Sequence, residues 1–169
     1  PSWRVSLDHH LSDELMVYGS YNRGYRSGGF TLLPPDPPFG QETVDAFETG
    51  FKSEPASGVR LNGAAYYSRY KNMQVFQVSA FGGPQVHNAG SAEIYGLDLD
   101  GFWRAMENLD LNASIGLIHA RYTDFKKAPT RIPYAGTDPL LLGTNTFAEI
   151  PNAKGNHLPM TPSWTANFG

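Results

Sequence analysis

Cysteine is absent from this 169-residue chain, which removes disulfide staples, thiolate metal sites and cysteine nucleophiles together. The absence also suits an oxidising compartment, where free thiols are avoided. Long apolar runs are missing as well. Nothing approaches the roughly eighteen residues of a transmembrane helix. That leaves membrane strands open, because a strand that alternates dilutes its apolar residues by half. Charge is scarce, at 17% of residues against roughly 25% in soluble proteins. There is no positive surplus: 13 Lys and Arg face 16 Asp and Glu, for a net charge of −3. Without a basic field, nucleic acid is excluded as a partner. The opening Pro1-Ser-Trp-Arg4 has neither the basic start nor the apolar core of a signal peptide. An exported protein would therefore carry its leader upstream of this chain.

Aromatics (13%), glycine (18 residues) and proline (13 residues) are plentiful, the profile of many strands joined by many turns. The clearest strand is Leu109–Tyr122. Leu109, Leu111, Ala113, Ile115 and Leu117 alternate with Asp110, Asn112, Ser114 and Gly116. A period of two places the two sets on opposite faces of a strand, whereas a helix would scatter the leucines around its circumference. The run is far longer than the usual strand of roughly five or six residues.

Looser alternation predicts further strands at Trp3–Leu7, Glu14–Arg26, Val44–Glu54, Val59–Val75 and Asn88–Trp103, with a seventh in Leu158–Phe168. The connections sort into two kinds. Asp8–Asp13, Pro55–Gly58 and Arg104–Asn108 are short; Ser27–Thr43, Gln77–His87 and Lys126–Asn156 are long and rich in proline or glycine. Short turns at one end and long loops at the other are the arrangement of an outer-membrane barrel. Aromatics gather toward strand ends: Trp3, Phe51, Trp103 and Trp164, with Tyr21, Tyr25, Tyr67, Tyr70 and Tyr122 toward the long-loop side. Trp3, Tyr21, Phe51, Tyr67, Trp103, Tyr122 and Trp164 are the expected membrane-interface aromatics. The fold class expected is all-β: an antiparallel transmembrane β-barrel segment of about seven long strands.

Four stretches resemble the barrel of TonB-dependent outer-membrane receptors. Val17-Tyr-Gly-Ser-Tyr-Asn-Arg-Gly-Tyr-Arg-Ser-Gly-Gly-Phe30 resembles the strand that rises into a loop through a Gly-Tyr/Phe-Arg/Lys-x-Gly-Gly-Phe turn. Glu42-Thr-Val-Asp-Ala-Phe-Glu-Thr-Gly-Phe-Lys-Ser-Glu54 is similar to the E-x-x-x-x-(Y/F)-E-x-G-(F/L/W)-K-(S/T) segment. Asn88-Ala-Gly-Ser-Ala-Glu-Ile-Tyr-Gly-Leu-Asp-Leu-Asp100 is similar to N-A-G-x-A-x-x-x-G-(V/L)-E-L-E, with Asp for the usual Glu. Asn156-His-Leu-Pro-Met-Thr-Pro-Ser-Trp164 resembles the G-x-x-L-P-x-x-P-x-(W/H/F) lead-in to a later strand. The four stand in the family's order. The resemblance implies that residues 1–169 are one piece of the C-terminal part of a barrel of the roughly 22-stranded, plugged type. The plug domain, the TonB box and the terminal aromatic strand of the barrel are expected outside this chain.

The same resemblance implies energised uptake of a scarce small molecule, such as a ferric siderophore, across the outer membrane of a Gram-negative bacterium. The expected partners are outer-membrane lipid, the receptor's own plug, the TonB complex and a ligand such as a metal chelate. No enzymatic activity, cofactor or resident metal is expected. Arg23, Tyr25, Arg26 and Phe30 are the candidate ligand contacts, since guanidinium matches carboxylate and catecholate oxygens. Glu48, Lys52, Arg60, Asp98, Asp100 and Asp110 are expected to face the lumen or plug. Hairpin pairing would set Glu54 beside Arg60 and Arg104 beside Asp110. His9-His10, flanked by Asp8 and Asp13, sit in a predicted turn where adjacent rings diverge, so they make a poor metal site. A passive porin-type barrel and a soluble carbohydrate-binding β-sandwich are the rival readings. The sandwich requires Val59, Leu61, Leu111, Ile115 and Leu117 to face a core.

Overall fold

The computed structural model describes residues 1–30, 38–78, 84–133, 135–136 and 145–169. Nine strands are found among them: β1 (Trp3–Ser12), β2 (Leu15–Arg26), β3 (Glu42–Ala56), β4 (Val59–Val78), β5 (Pro84–Met106), β6 (Leu109–Asp124), β7 (Lys126–Pro133), β8 (Asn145–Asn152) and β9 (Trp164–Phe168). Seven form one antiparallel sheet in the order β1-β2-β3-β4-β5-β6-β9, and β7 and β8 pair as a separate hairpin. Each long strand pairs with its neighbour in sequence, so the sheet is a meander built from local hairpins.

The register turns each strand's alternation into rows that cross the sheet. Val17, Phe51, Gly63, Leu99, Ile115 and Ala166 form one such row. The next row toward the loops holds Gly19, Thr49, Ala65, Leu97, Leu117 and Trp164. These rows make an apolar face, and no second layer covers it among the described residues: Leu61, Leu97, Leu99, Leu111, Ile115 and Leu117 remain 39% to 49% exposed. That removes the soluble sandwich, which needed those side chains in a core. The opposite face carries Asp8, Glu48, Lys52, Arg60, Asp98, Asp100 and Asp110 on alternate positions.

Two tyrosines on this polar face lean across glycines. A Cβ at Gly50 would lie 2.7 Å from the Tyr18 hydroxyl, and one at Gly96 would meet the Tyr66 ring and the Leu117 carbonyl. Only glycine leaves room for the ring against the backbone, an arrangement that gives back packing to a residue with no side chain of its own.

The short connections are tighter than their sequence implies. Two-residue turns, Asp13-Glu14, Ser57-Gly58 and Glu107-Asn108, close all three hairpins. Gly58 takes φ of 77°, the left-handed conformation that glycine adopts without penalty. Asp8, His9 and His10, expected in a turn, belong instead to β1. His9 takes the apolar-phase position opposite Val17, so the polar run Asp8-His-His10 masks the alternation that Trp3, Val5 and Leu7 begin. The long connection Lys126–Asn156, expected as loop throughout, contains the β7–β8 hairpin, and of the expected loop Gln77–His87, Gln77 and Val78 belong to β4 and Pro84–His87 to β5. Residues 31–37 of the first long connection, 79–83 of the second, and 134 and 137–144 of the third lie outside the described residues.

Candidate functional site

The end of the sheet that carries the long connections is where side chains take over from the backbone ladder. The β3–β4 pairing stops at Thr43 and Lys71, and Asn72 then adopts φ of 52° in β4. Asparagine tolerates this conformation better than most residues. Beyond the break, the Glu42 carboxylate accepts the Gln74 backbone N–H at 2.6 Å. The Gln74 amide, from a buried side chain, donates to the carbonyls of Ser27 (2.9 Å) and Gly40 (3.0 Å). Asn88 accepts from the Gly40 N–H at 2.6 Å and donates to the carbonyls of Gly40 (3.0 Å) and Asn72 (2.8 Å). Glu42, Gln74 and Asn88 therefore clasp both ends of the first long connection. Backbone groups that would otherwise lose their partners are satisfied. Just above the clasp, Gly29 and Phe39 exchange backbone hydrogen bonds of 3.0 and 2.9 Å.

On the polar-phase side of this end lies the one packed cluster built on the sheet's described residues. Ala89, Ala92 and Ala120 are closed to solvent, with Tyr122 and Leu158 nearly so; Tyr70, Met73, Val75, Ile94, Ile118 and Phe125 pack around them. Leu158 arrives on a segment docked along β6, where Tyr122 N–H donates to Asn156 O and Leu158 N–H to Ala120 O. The Asn88–Ala92 motif thus does two tasks. Its asparagine clasps a connection, and its alanines admit Leu158 and Tyr122.

The predicted site residues are distributed as follows. Arg23 lies 3.6 Å from Asp45, whose carboxylate also accepts the Tyr21 hydroxyl at 2.6 Å. Alternation along β2 sends Arg23 and Tyr25 to the apolar-phase face and Arg26 to the other, and Phe30 stands 81% exposed past the strand end. The four do not converge on one pocket. Glu48, Lys52, Arg60, Asp98, Asp100 and Asp110 do share the polar face, where Asn62 donates to Asp100 at 2.7 Å.

At the turn end Arg104 pairs with Asp110 at 2.9 Å, as hairpin register predicts. Glu54 and Arg60 are not brought together. A bulge between Ser53 and Ala56 takes Glu54 out of register, and the Arg60 guanidinium sits 5.5 Å over the Phe102 ring.

Among the expected interface aromatics, Trp3, Tyr21 and Tyr67 lie at the loop-side margin of the apolar face, with Trp3 edge-on to Tyr21 at 4.7 Å. Trp103 lies at the turn-side margin, opposite Val59 and Leu111. Phe51 and Trp164 sit in the middle rows of the face instead. Tyr122 is corrected more strongly: it pairs with Ala92 and is buried in the polar-side cluster. His9 and His10 point to opposite faces of β1, as neighbours in a strand must. Among the described residues, no group of three or more histidines and carboxylates is placed to hold a metal ion. The clasp residues Gln74 and Asn88 escape alternation because both follow the break at Asn72 or face it. The only hint was Asn88 at the head of a motif.

Solved structures share this architecture. The ferric yersiniabactin uptake receptor FyuA from Yersinia pestis superposes with a TM-score of 0.68 at 22% identity, over 96% of this chain and 21% of that one. The siderophore receptor PirA from Pseudomonas aeruginosa matches 77% of this chain and 29% of its own, at a TM-score of 0.59 and 17% identity. In sequence, the pesticin receptor of Yersinia enterocolitica is 27% identical over 125 residues, 72% of this chain and 18% of that protein. The chain thus spans about a fifth of the length of the relatives it matches. These relatives are receptors, not enzymes. The family described as TonB dependent receptor-like, beta-barrel matches residues 1–169 from end to end, and the chain belongs to it.

Proposed function

We propose that residues 1–169 form part of the lipid-spanning wall of an outer-membrane receptor that takes up a scarce ligand, such as a ferric siderophore, with energy delivered through TonB. The observation that carries this reading is the pairing of an uncovered apolar face with connections sorted by length. From Trp103 to Tyr95 the apolar face runs eight residue steps along β5, about 26 Å at ~3.3 Å per step. At a tilt of about 40° that is roughly 20 Å of height, close to the ~25 Å apolar band of such barrels. The two-residue turns then lie in the periplasm and the long connections outside. The polar face, with Glu48, Lys52, Asp98 and Asp100, looks toward a plug supplied by another part of the receptor. The clasped connection 27–41, together with the β4–β5 connection and the segment between β6 and β9, holds the ligand. The siderophore reading draws support from the FyuA and PirA likenesses, and no chemistry on the ligand is involved.

The test is uptake of radiolabelled ferric siderophores by iron-starved cells expressing the full-length receptor. Accumulation that disappears when TonB is deleted is the expected result. Uptake that is indifferent to TonB and to dissipation of the proton gradient would overturn the reading in favour of a passive pore.

A further inference from the structure

We propose that the loop-side rim of the apolar face holds the headgroup phosphate of an anionic glycolipid of the outer leaflet, with Arg69 and Lys71 as its ligands. This rests on the orientation given under Proposed function. The register sets Val5, Tyr21, Phe47, Tyr67, Tyr95 and His119 in a single row of mostly aromatic side chains. Tyr21 stacks on Phe47 at 4.6 Å and Tyr95 on His119 at 4.6 Å. The next row toward the loops, on the same face, reads Trp3, Arg23, Asp45, Arg69, Glu93, Arg121. A row of charge thus begins about 6.6 Å beyond the last aromatic row, at the depth where lipid headgroups replace acyl chains.

The charges in that row do not cancel. Asp45 is engaged by Arg23 at 3.6 Å and by the Tyr21 hydroxyl. Arg121 is turned to the Gly155 carbonyl at 2.8 Å. Arg69 is exposed and forms no ion pair within 4.0 Å among the described residues, although Glu93 is its cross-strand neighbour. Lys71 stands one row further on the same face, exposed and likewise unpaired, with Asp124 two strands away. Two free cations two residues apart on one strand can grip one phosphate, the guanidinium as a fork and the ammonium as a point charge. The occupant is a lipid rather than a free anion because the apolar surface continues without a break below the cations. Tyr67 and Tyr95 lie at the level of polar linkages, and Leu97, Leu99, Ile115 and Leu117 lie along the acyl chains. The long-loop end selects the outer leaflet.

The full-length receptor, purified in a neutral detergent, is titrated with lipid A and with its dephosphorylated form, and bound lipid is counted by native mass spectrometry. The parent is expected to retain lipid A severalfold better than the dephosphorylated form. The R69Q/K71Q variant is expected to lose that preference, and R69K/K71R to keep it. TonB-dependent uptake should be unaffected in both, so a failure of the transport reading appears in a separate assay. Equal retention of lipid A by the parent and R69Q/K71Q overturns the proposal, as does loss of retention in both variants.

Discussion

The two ends of this sheet solve the same problem by different means. At the turn end the chain reverses within two residues at Asp13-Glu14, Ser57-Gly58 and Glu107-Asn108, and the ladder closes again after a register shift just before each turn, between His10 and Ser12, Ser53 and Ala56, and Arg104 and Met106. Nothing there is buried on either face, and the side chains add only exposed contacts such as Arg104–Asp110. At the loop end the ladder breaks at Asn72 and again between Ser91 and Ala92. The buried Gln74 amide, the exposed Asn88 amide, a carboxylate and a cluster of alanines take its place. Backbone hydrogen bonds suffice where two strands meet again at a two-residue turn, even across a bulge. Where long connections leave at unequal heights, orphaned N–H and C=O groups must be met by side chains of fixed identity.

If that contrast is right, substitutions should hurt in proportion to how far they lie from a complete ladder. The largest effect is expected from Ala92→Leu. Its side chain has no solvent exposure, so added carbons have nowhere to go, and overpacking should cost about 2–3 kcal/mol. Melting of the full-length receptor in detergent would register this as a clear fall in Tm, whereas Met106→Ala at the exposed turn end should leave Tm in place. Gln74→Leu should come next, at about 1–2 kcal/mol, because the Ser27 carbonyl loses its donor and the Gly40 carbonyl keeps only that from Asn88. Limited proteolysis gives its sharper signature, with faster cleavage in connection 27–41 and unchanged cleavage elsewhere. Arg104→Ala should do least. Its ion pair with Asp110 is open to solvent at the turn, so any change in Tm should be near the noise and vanish in high salt. A Tm loss from Arg104→Ala equal to that from Gln74→Leu would dissolve the distinction between the ends.

The sequence was most readable where one face is apolar and the other polar. Leu109–Leu117 announces β6 because every second residue must meet a different medium. The sorting of connections survived in part: two-residue turns alternate with longer connections, but the β7–β8 ladder runs through Pro129 and β5 opens on Pro84, so proline marks the region of a connection and not the end of pairing. Legibility failed where alternation carries no information. In β1 a histidine holds an apolar-phase position opposite Val17, so Asp8-His-His10 resembles a turn. Tyr122 was assigned to a membrane rim by residue type, yet its parity with Ala120 puts it on the polar side, in the cluster with Leu158. The clasp was invisible because Gln74 and Asn88 meet Gly40 only across a break in β4 that no pattern of two predicts. Four stretches of familial sequence pointed to the barrel, but not to what their residues hold.

The leaning tyrosines carry one more consequence. Tyr18 over Gly50 and Tyr66 over Gly96 lay their rings along the sheet rather than standing away from it. In a closed barrel, side chains that lie down count toward the thickness of the wall, and those that stand up narrow the bore. Pairing each large ring with a glycine lets the strand keep an aromatic surface while giving up almost none of the clearance. On the transport reading proposed above, a ligand passing this wall meets the flank of a phenol and not its tip.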